Sequence, residues 1–162
     1  SMGRNSSGIE DPNNPGEFLS RLEAMKLSVN QLLTEYEALG DVNVQLYSFS
    51  DGVTAHDSGN WISSSDASTI IDGLDSGGWT FYDDALQEVV STYTLSTPPD
   101  VTNTTMYFLS DGNPQPNAEQ DSSSNVNEHG DQVLQLQGYQ SYWEEFLNND
   151  GSEINNVFSI GT

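Results

Sequence analysis

Three features of the sequence predict an α/β fold, doubly wound around a mainly parallel central sheet with helices on both faces. Helical periods alternate along the chain with short strand-like runs, the pattern of βα units. The later runs are apolar without alternation, as expected of strands covered on both faces. Two of the runs break off in the same tripeptide, Ser-Asp-Gly, at residues 50–52 and 110–112. With 162 residues, the chain has the length of a single domain, 1–162, able to bury a core of its own.

Residues 1–15 are rich in Gly, Asn, Ser and Pro and lack an apolar period, so a loop is expected there. From Gly16 to Leu39, the residues Phe18, Leu22, Met25, Val29, Leu32, Tyr36 and Leu39 recur at steps of three and four. This spacing predicts an amphipathic helix resting its stripe on a sheet, with Gly40 as a left-handed residue closing it. Val42 to Phe49 reads as a strand. Ser65-Asp66 reads as the start of a short helix carrying Ala67, Ile70, Ile71 and Leu74. A second helix is expected through Ala85, Leu86, Val89, Val90 and Tyr93, then a doubly buried strand at Thr105 to Leu109. Residues 112–130 read as a long loop and Val133 to Leu147 as a helix with Trp143 on its apolar face. A last buried strand is expected at Val157 to Ile160.

Charge is the strongest global signal. Twenty-five acidic residues face only Arg4, Arg21 and Lys26, a formal net charge of -22. Nucleic acid and anionic membranes are poor partners for such a surface, and self-repulsion opposes compaction unless ions screen it. A salty or calcium-rich setting is therefore expected. The absence of cysteine excludes disulfides, thiolate metal sites and cysteine nucleophiles. No apolar stretch approaches the roughly 20 residues of a membrane-spanning helix.

In parallel α/β sheets, sites form at the carboxyl ends of the strands, which directs attention to the residues just after each run. Three segments qualify: Ser1-Met2-Gly3, Gly77-Gly78-Trp79-Thr80 before a helix, and Leu109-Ser110-Asp111-Gly112 after a strand. Asp51, also at a strand end, is a further candidate, although Ser50-Asp51-Gly52 reads equally as a simple turn. Thr80 reads alternatively as a helix cap with Asp83 three residues on. His56 and His129 stand isolated in polar loops and are expected to face solvent, and Trp61 and Trp79 are expected at the rim of a site.

The runs RLEAMK (21–26), GGWTFYDDAL (77–86) and YFLSDGNP (107–114) together resemble von Willebrand factor A-type domains, especially those of bacterial RTX adhesins. The resemblance extends in order and spacing over nearly the whole chain. It implies a Mg²⁺ or Ca²⁺ ion held by Ser1, Thr80 and Asp111, with Ser1 as the second serine of a D-x-S-x-S motif. The first strand and the rest of that motif would then lie before residue 1, making the chain one part of a larger domain. Asp51, Trp79 and Asn113 are the expected partner contacts.

Hard divalent ions take oxygen ligands, and a site with few carboxylates leaves the ion under-neutralised and open to an acidic group from a partner. The function implied is metal-dependent adhesion by a secreted bacterial surface protein, bound to a protein, a cell-surface ligand or an adjacent domain. The alternative is a scaffold domain whose metal site has degenerated. An enzyme is not expected: no Walker loop, Gly-x-Ser-x-Gly elbow or His-linked nucleophile is present, and the adjacent Asp83 and Asp84 would not face each other on a helix. If self-repulsion opposes folding, the thermal midpoint rises as NaCl is raised from about 0.05 M to about 1 M, where screening lengths shrink to about 3 Å. A midpoint independent of salt in a thermal melt would contradict this.

Overall fold

A computed structural model describes residues 6–78, 80, 82–93, 98–99, 103–110, 144–148 and 154–161. The chain is mixed α/β and divides into two compact units, one formed by residues 1–45 and 62–77, the other by 46–61 and 78–162.

The first unit opens with an antiparallel hairpin of β1 (Ser6–Glu10) and β2 (Phe18–Ser20). Its turn is tied by carboxylates. Asp11 accepts from the Asn13 amide at 2.8 Å and the Asn14 side chain at 2.7 Å, and Glu10 accepts from the Gly16 amide at 2.6 Å. The bonds from Asn14, foremost, and from Asn13 hold the Asp11 carboxyl below the usual carboxylate range.

Helix α1 (Arg21–Glu37) follows β2 directly. Ser20 and Glu23 close its first turn reciprocally: the Glu23 amide donates to Ser20 Oγ at 3.2 Å, and the Ser20 amide donates to Glu23 Oε2 at 2.7 Å. The helix therefore starts at a cap five residues later than the apolar period suggests. Phe18 belongs to β2 and is 61% exposed, while Tyr36 and Leu39 are exposed at the far end. The expected stripe is thus only partly covered, and Ala24 is the buried position of α1. Nor is Gly40 left-handed: the backbone ends in a right-handed turn at Ala38, with the Gly40 amide donating to the Tyr36 and Glu37 carbonyls.

The second helix of this unit, α2 (Ser64–Asp72), is capped by Ser63, whose Oγ accepts from the Asp66 amide at 3.1 Å. The cap expected at Ser65-Asp66 therefore lies two to three residues earlier, at Ser63. Side chains pair α1 and α2 in opposite directions. Lys26 Nζ donates to the Asp72 carbonyl at 2.8 Å, Asn30 Nδ2 donates to Asp72 Oδ1 at 2.8 Å, and at the other end Ser64 Oγ donates to the Glu37 carboxylate. An ammonium at the C-terminus of α2 also faces the negative end of the helix dipole. Ala67 and Ile71 form the buried face of α2, and the small side chains of Ala24 and Ala67 suit a close helix pair. A short antiparallel pair, β3 (Asn43–Val44) with β6 (Ile62–Ser63), completes the unit.

In the second unit, β4 (Tyr47–Phe49) and β5 (Val53–Ala55) form an antiparallel hairpin across Ser50-Asp51-Gly52. The single strand expected at Val42–Phe49 is therefore two short strands with different partners. The chain then passes through a tight turn at His56–Gly59, in which Asp57 (φ 49°) and Ser58 (φ 56°) are left-handed. Helix α3 (Tyr82–Tyr93) buries Ala85, Val89, Val90 and Tyr93, the face predicted from its period. Val90 and Tyr93 pack with Phe146, from a helical segment at 144–148, and with Trp61, Leu147 and Ile154. Trp61 meets Tyr93 edge-on at 6.1 Å and so belongs to the core periphery rather than to the rim of a site.

The last two strands, β7 (Thr104–Ser110) and β8 (Ile154–Gly161), pair in parallel, from Thr104 opposite Ile154 to Ser110 opposite Gly161. This is the parallel pairing among the described residues, and the other three strand pairs are antiparallel. Neither strand is as covered as its composition suggests. Thr105 to Leu109 are half-buried, and on β8 Val157 is 42% and Phe158 50% exposed. The helix expected at Val133–Leu147 is seen in its last turn, with Trp143 and the expected loop at 112–130 outside the described residues.

Two substitutions separate packing from capping in the first unit. Ile71→Ala is expected to lower stability by about 2–5 kcal/mol and Ser20→Ala by about 1 kcal/mol, both read from urea denaturation. Equal losses would contradict the assignment of Ile71 as the packing centre.

Candidate functional site

Of the residues singled out from sequence, Thr80 and Asp51 lie among those described, and both belong to the second unit. Ser1, Trp79, Asp111 and Asn113 lie outside the described residues, as does His129. The described neighbours of Thr80, Asp51 and Asp111 nevertheless converge. Phe49, two residues before Asp51, stacks on Phe108 with centroids 5.3 Å apart and planes 20° from parallel. Tyr82, two residues after Thr80, meets Phe108 edge-on at 5.0 Å and Phe49 edge-on at 5.8 Å. Phe108 itself lies two residues before Ser110, the last residue of β7, which is buried. The ends of β4 and β7 and the start of α3 are thus drawn together by three rings, each pair worth about 0.5–1.5 kcal/mol beyond its buried area.

Thr80 is half-buried and stands two residues ahead of α3. Asp51 is exposed, and its carboxylate lies directly over Gly78, where a Cβ would be 2.5 Å from Oδ1 and 2.8 Å from Oδ2. Gly78 has φ +73°, a left-handed conformation that by itself favours glycine. No sequence pattern announces this approach, because β5, β6 and α2 all lie between Asp51 and Gly78.

The geometry offers one carboxylate and one hydroxyl on adjoining segments, both hard oxygen donors suited to Mg²⁺ or Ca²⁺. Among the described residues, no group of three or more His, Asp or Glu is arranged to hold a metal.

His56 differs from expectation. It is half-buried, and its Nε2 lies 2.8 Å from Ser48 Oγ, a bond across the β4–β5 hairpin. Nearby, Tyr47 and Thr92 share a hydrogen bond between hydroxyls. Burial holds the His56 imidazole below its ordinary value and pushes the Tyr47 phenol up.

Compared with models of known families, with curated proteins and with solved structures, the chain has no match in any of the three. Among the described residues, no helix is long and apolar enough to cross a membrane.

Since His56 resists protonation in the folded state, the unfolded chain binds more protons below the ordinary histidine value. The stability it contributes is present above about pH 6.5 and is lost as pH falls through the folded value. The His56 imidazole resonances are expected to titrate with a midpoint below about 6.5 by NMR, and a midpoint at or above this value would contradict the burial argument.

Proposed function

We propose that this chain is a metal-dependent adhesion or ligand-binding module of a secreted bacterial surface protein. In this reading it is an A-type domain with a doubly wound parallel sheet and binds its partner through a divalent cation rather than catalysing a reaction. The observation that carries the reading is the Phe49–Tyr82–Phe108 cluster, which gathers the segments leading to Asp51, Thr80 and Asp111. The parallel pairing of β7 and β8 also supports it, since Asp111 then follows the carboxyl end of a parallel strand.

In the proposed site, Ser1, Thr80 and Asp111 hold the ion, while Asp51, Trp79 and Asn113 meet the partner. The ion supplies Lewis acidity toward an anionic group. The chain's own residues set where that group docks: the aromatic cluster fixes the loop ends, and the surrounding acidity repels anions that lack a bridging cation. A net charge of -22 fits an ion-rich exterior, with a protein, a cell-surface ligand or an adjacent domain of the same chain as partner. A scaffold role is the second reading. In it the metal site has degenerated and the domain serves as a spacer between its neighbours.

Isothermal titration of Mg²⁺ and of Ca²⁺ into the chelator-stripped chain separates the two readings. One saturable site is expected, weakened at least about tenfold by Asp111→Ala and by Thr80→Ala. Diffuse binding unchanged by both substitutions would refute the metal bridge and leave the scaffold.

A further inference from the structure

The approach of Asp51 to Gly78 serves no purpose in the metal bridge, yet it leaves no room for a side chain at residue 78. Asp51 Oδ1, Cγ and Oδ2 lie 2.5, 2.6 and 2.8 Å from where a Cβ on Gly78 would stand, so the carboxylate occupies the space a side chain there would take. Two independent constraints fall on this residue: a left-handed φ of +73° and the loss of all space for a side chain. Gly59 (φ +76°) is crowded too, with Thr92 Cβ 3.0 Å from its Cβ position, but the remaining left-handed glycines differ. Gly8 and Gly16 have nothing within 4 Å of a Cβ, so there the conformation alone explains glycine.

Thr80 follows two residues later, within about 7 Å of Gly78 by the reach of an extended chain. Asp51 is in turn fixed from its other side. It begins two residues after Phe49, whose ring is stacked on Phe108 and packed against Tyr82 of α3. A carboxylate carried on this braced hairpin and laid against the backbone ahead of Thr80 sets where the threonine hydroxyl can stand.

We infer that Asp51 is the positioning residue for the Thr80 loop, with Gly78 as the seat that admits its carboxylate. Asp51 thereby acts on a cation through Thr80, in the manner of outer-shell groups that orient metal ligands. The effect on cation binding rests on the function proposed above, whereas the anchoring of the loop does not.

The test uses the intact chain with Asp51→Ala, Asp51→Asn and Gly78→Ala. Asp51 is exposed, so its replacement leaves the thermal midpoint near that of the wild type. Without metal, hydrogen exchange at the Thr80 amide is expected to quicken about tenfold or more in Asp51→Ala, and Asp51→Asn restores it because the amide fills the same space against Gly78. Gly78→Ala reproduces the Asp51→Ala effect from the other side of the contact. With Mg²⁺ alone as probe, Asp51→Ala weakens binding about 10–100-fold and Asp51→Asn recovers most of it. Unchanged Thr80 exchange in Asp51→Ala overturns the inference, as does an Asp51→Asn variant no better than alanine. If exchange quickens but the wild-type chain binds no Mg²⁺, the anchor stands and the cation reading falls.

Discussion

Much of the second unit depends on the placement of one ring. Phe108 sits near the end of β7, stacked on Phe49 of β4 and met edge-on by Tyr82 at the start of α3. Three chain segments distant in sequence share this contact, and each leads within three residues to a polar side chain singled out as a candidate. Hydrogen bonding along the strands does not join β4 to β7, which belong to separate strand pairs. The aromatic faces make that connection. Further along α3, Tyr93 repeats the arrangement with Trp61 and Phe146, so both ends of the helix are held by perpendicular rings.

The first unit is held by different chemistry. Few of its large apolar side chains are covered: Ile9, Phe18, Leu27, Tyr36 and Leu39 are all exposed. What ties α1 to α2 is a set of polar side chains at both ends of the pair, reaching backbone or carboxylate oxygens. In a chain this acidic, Glu37 and Asp72 serve as acceptors in these bonds, so part of the negative charge is put to structural use.

Element types were legible in the sequence where a period was long and its boundary local. Helix α3 shows its buried face through Ala85, Val89, Val90 and Tyr93, and β7 is plain from an unbroken apolar run. The start of α1 was obscured because Phe18 continues the helical spacing by coincidence, while the Ser20 and Glu23 pair, a stronger stop than any period, lies within it. Val42–Phe49 hides a change of partner, since strand pairing is decided by distant residues. The depth of β7 and β8 was overestimated for a related reason: an apolar run records what a strand can bury, and not what stands beside it. For the candidate site, the strand-end rule singles out Asp51 and the family resemblance Thr80, but a glycine chosen to admit a carboxylate leaves no pattern until the fold brings the two together. His56, placed in solvent from its polar neighbours, is instead drawn to Ser48 by the hairpin register.

Lys26 is the single lysine of the chain, and its ammonium is already engaged with the end of α2. With Arg4 and Arg21 it also marks every position at which a protease specific for basic residues can cut, all within the first 26 residues. Residues 27–162 offer such an enzyme no target, so the extreme acidity that burdens folding also leaves this stretch invisible to trypsin-like digestion. Reagents that acylate amines would strike the same lysine that joins the two helices.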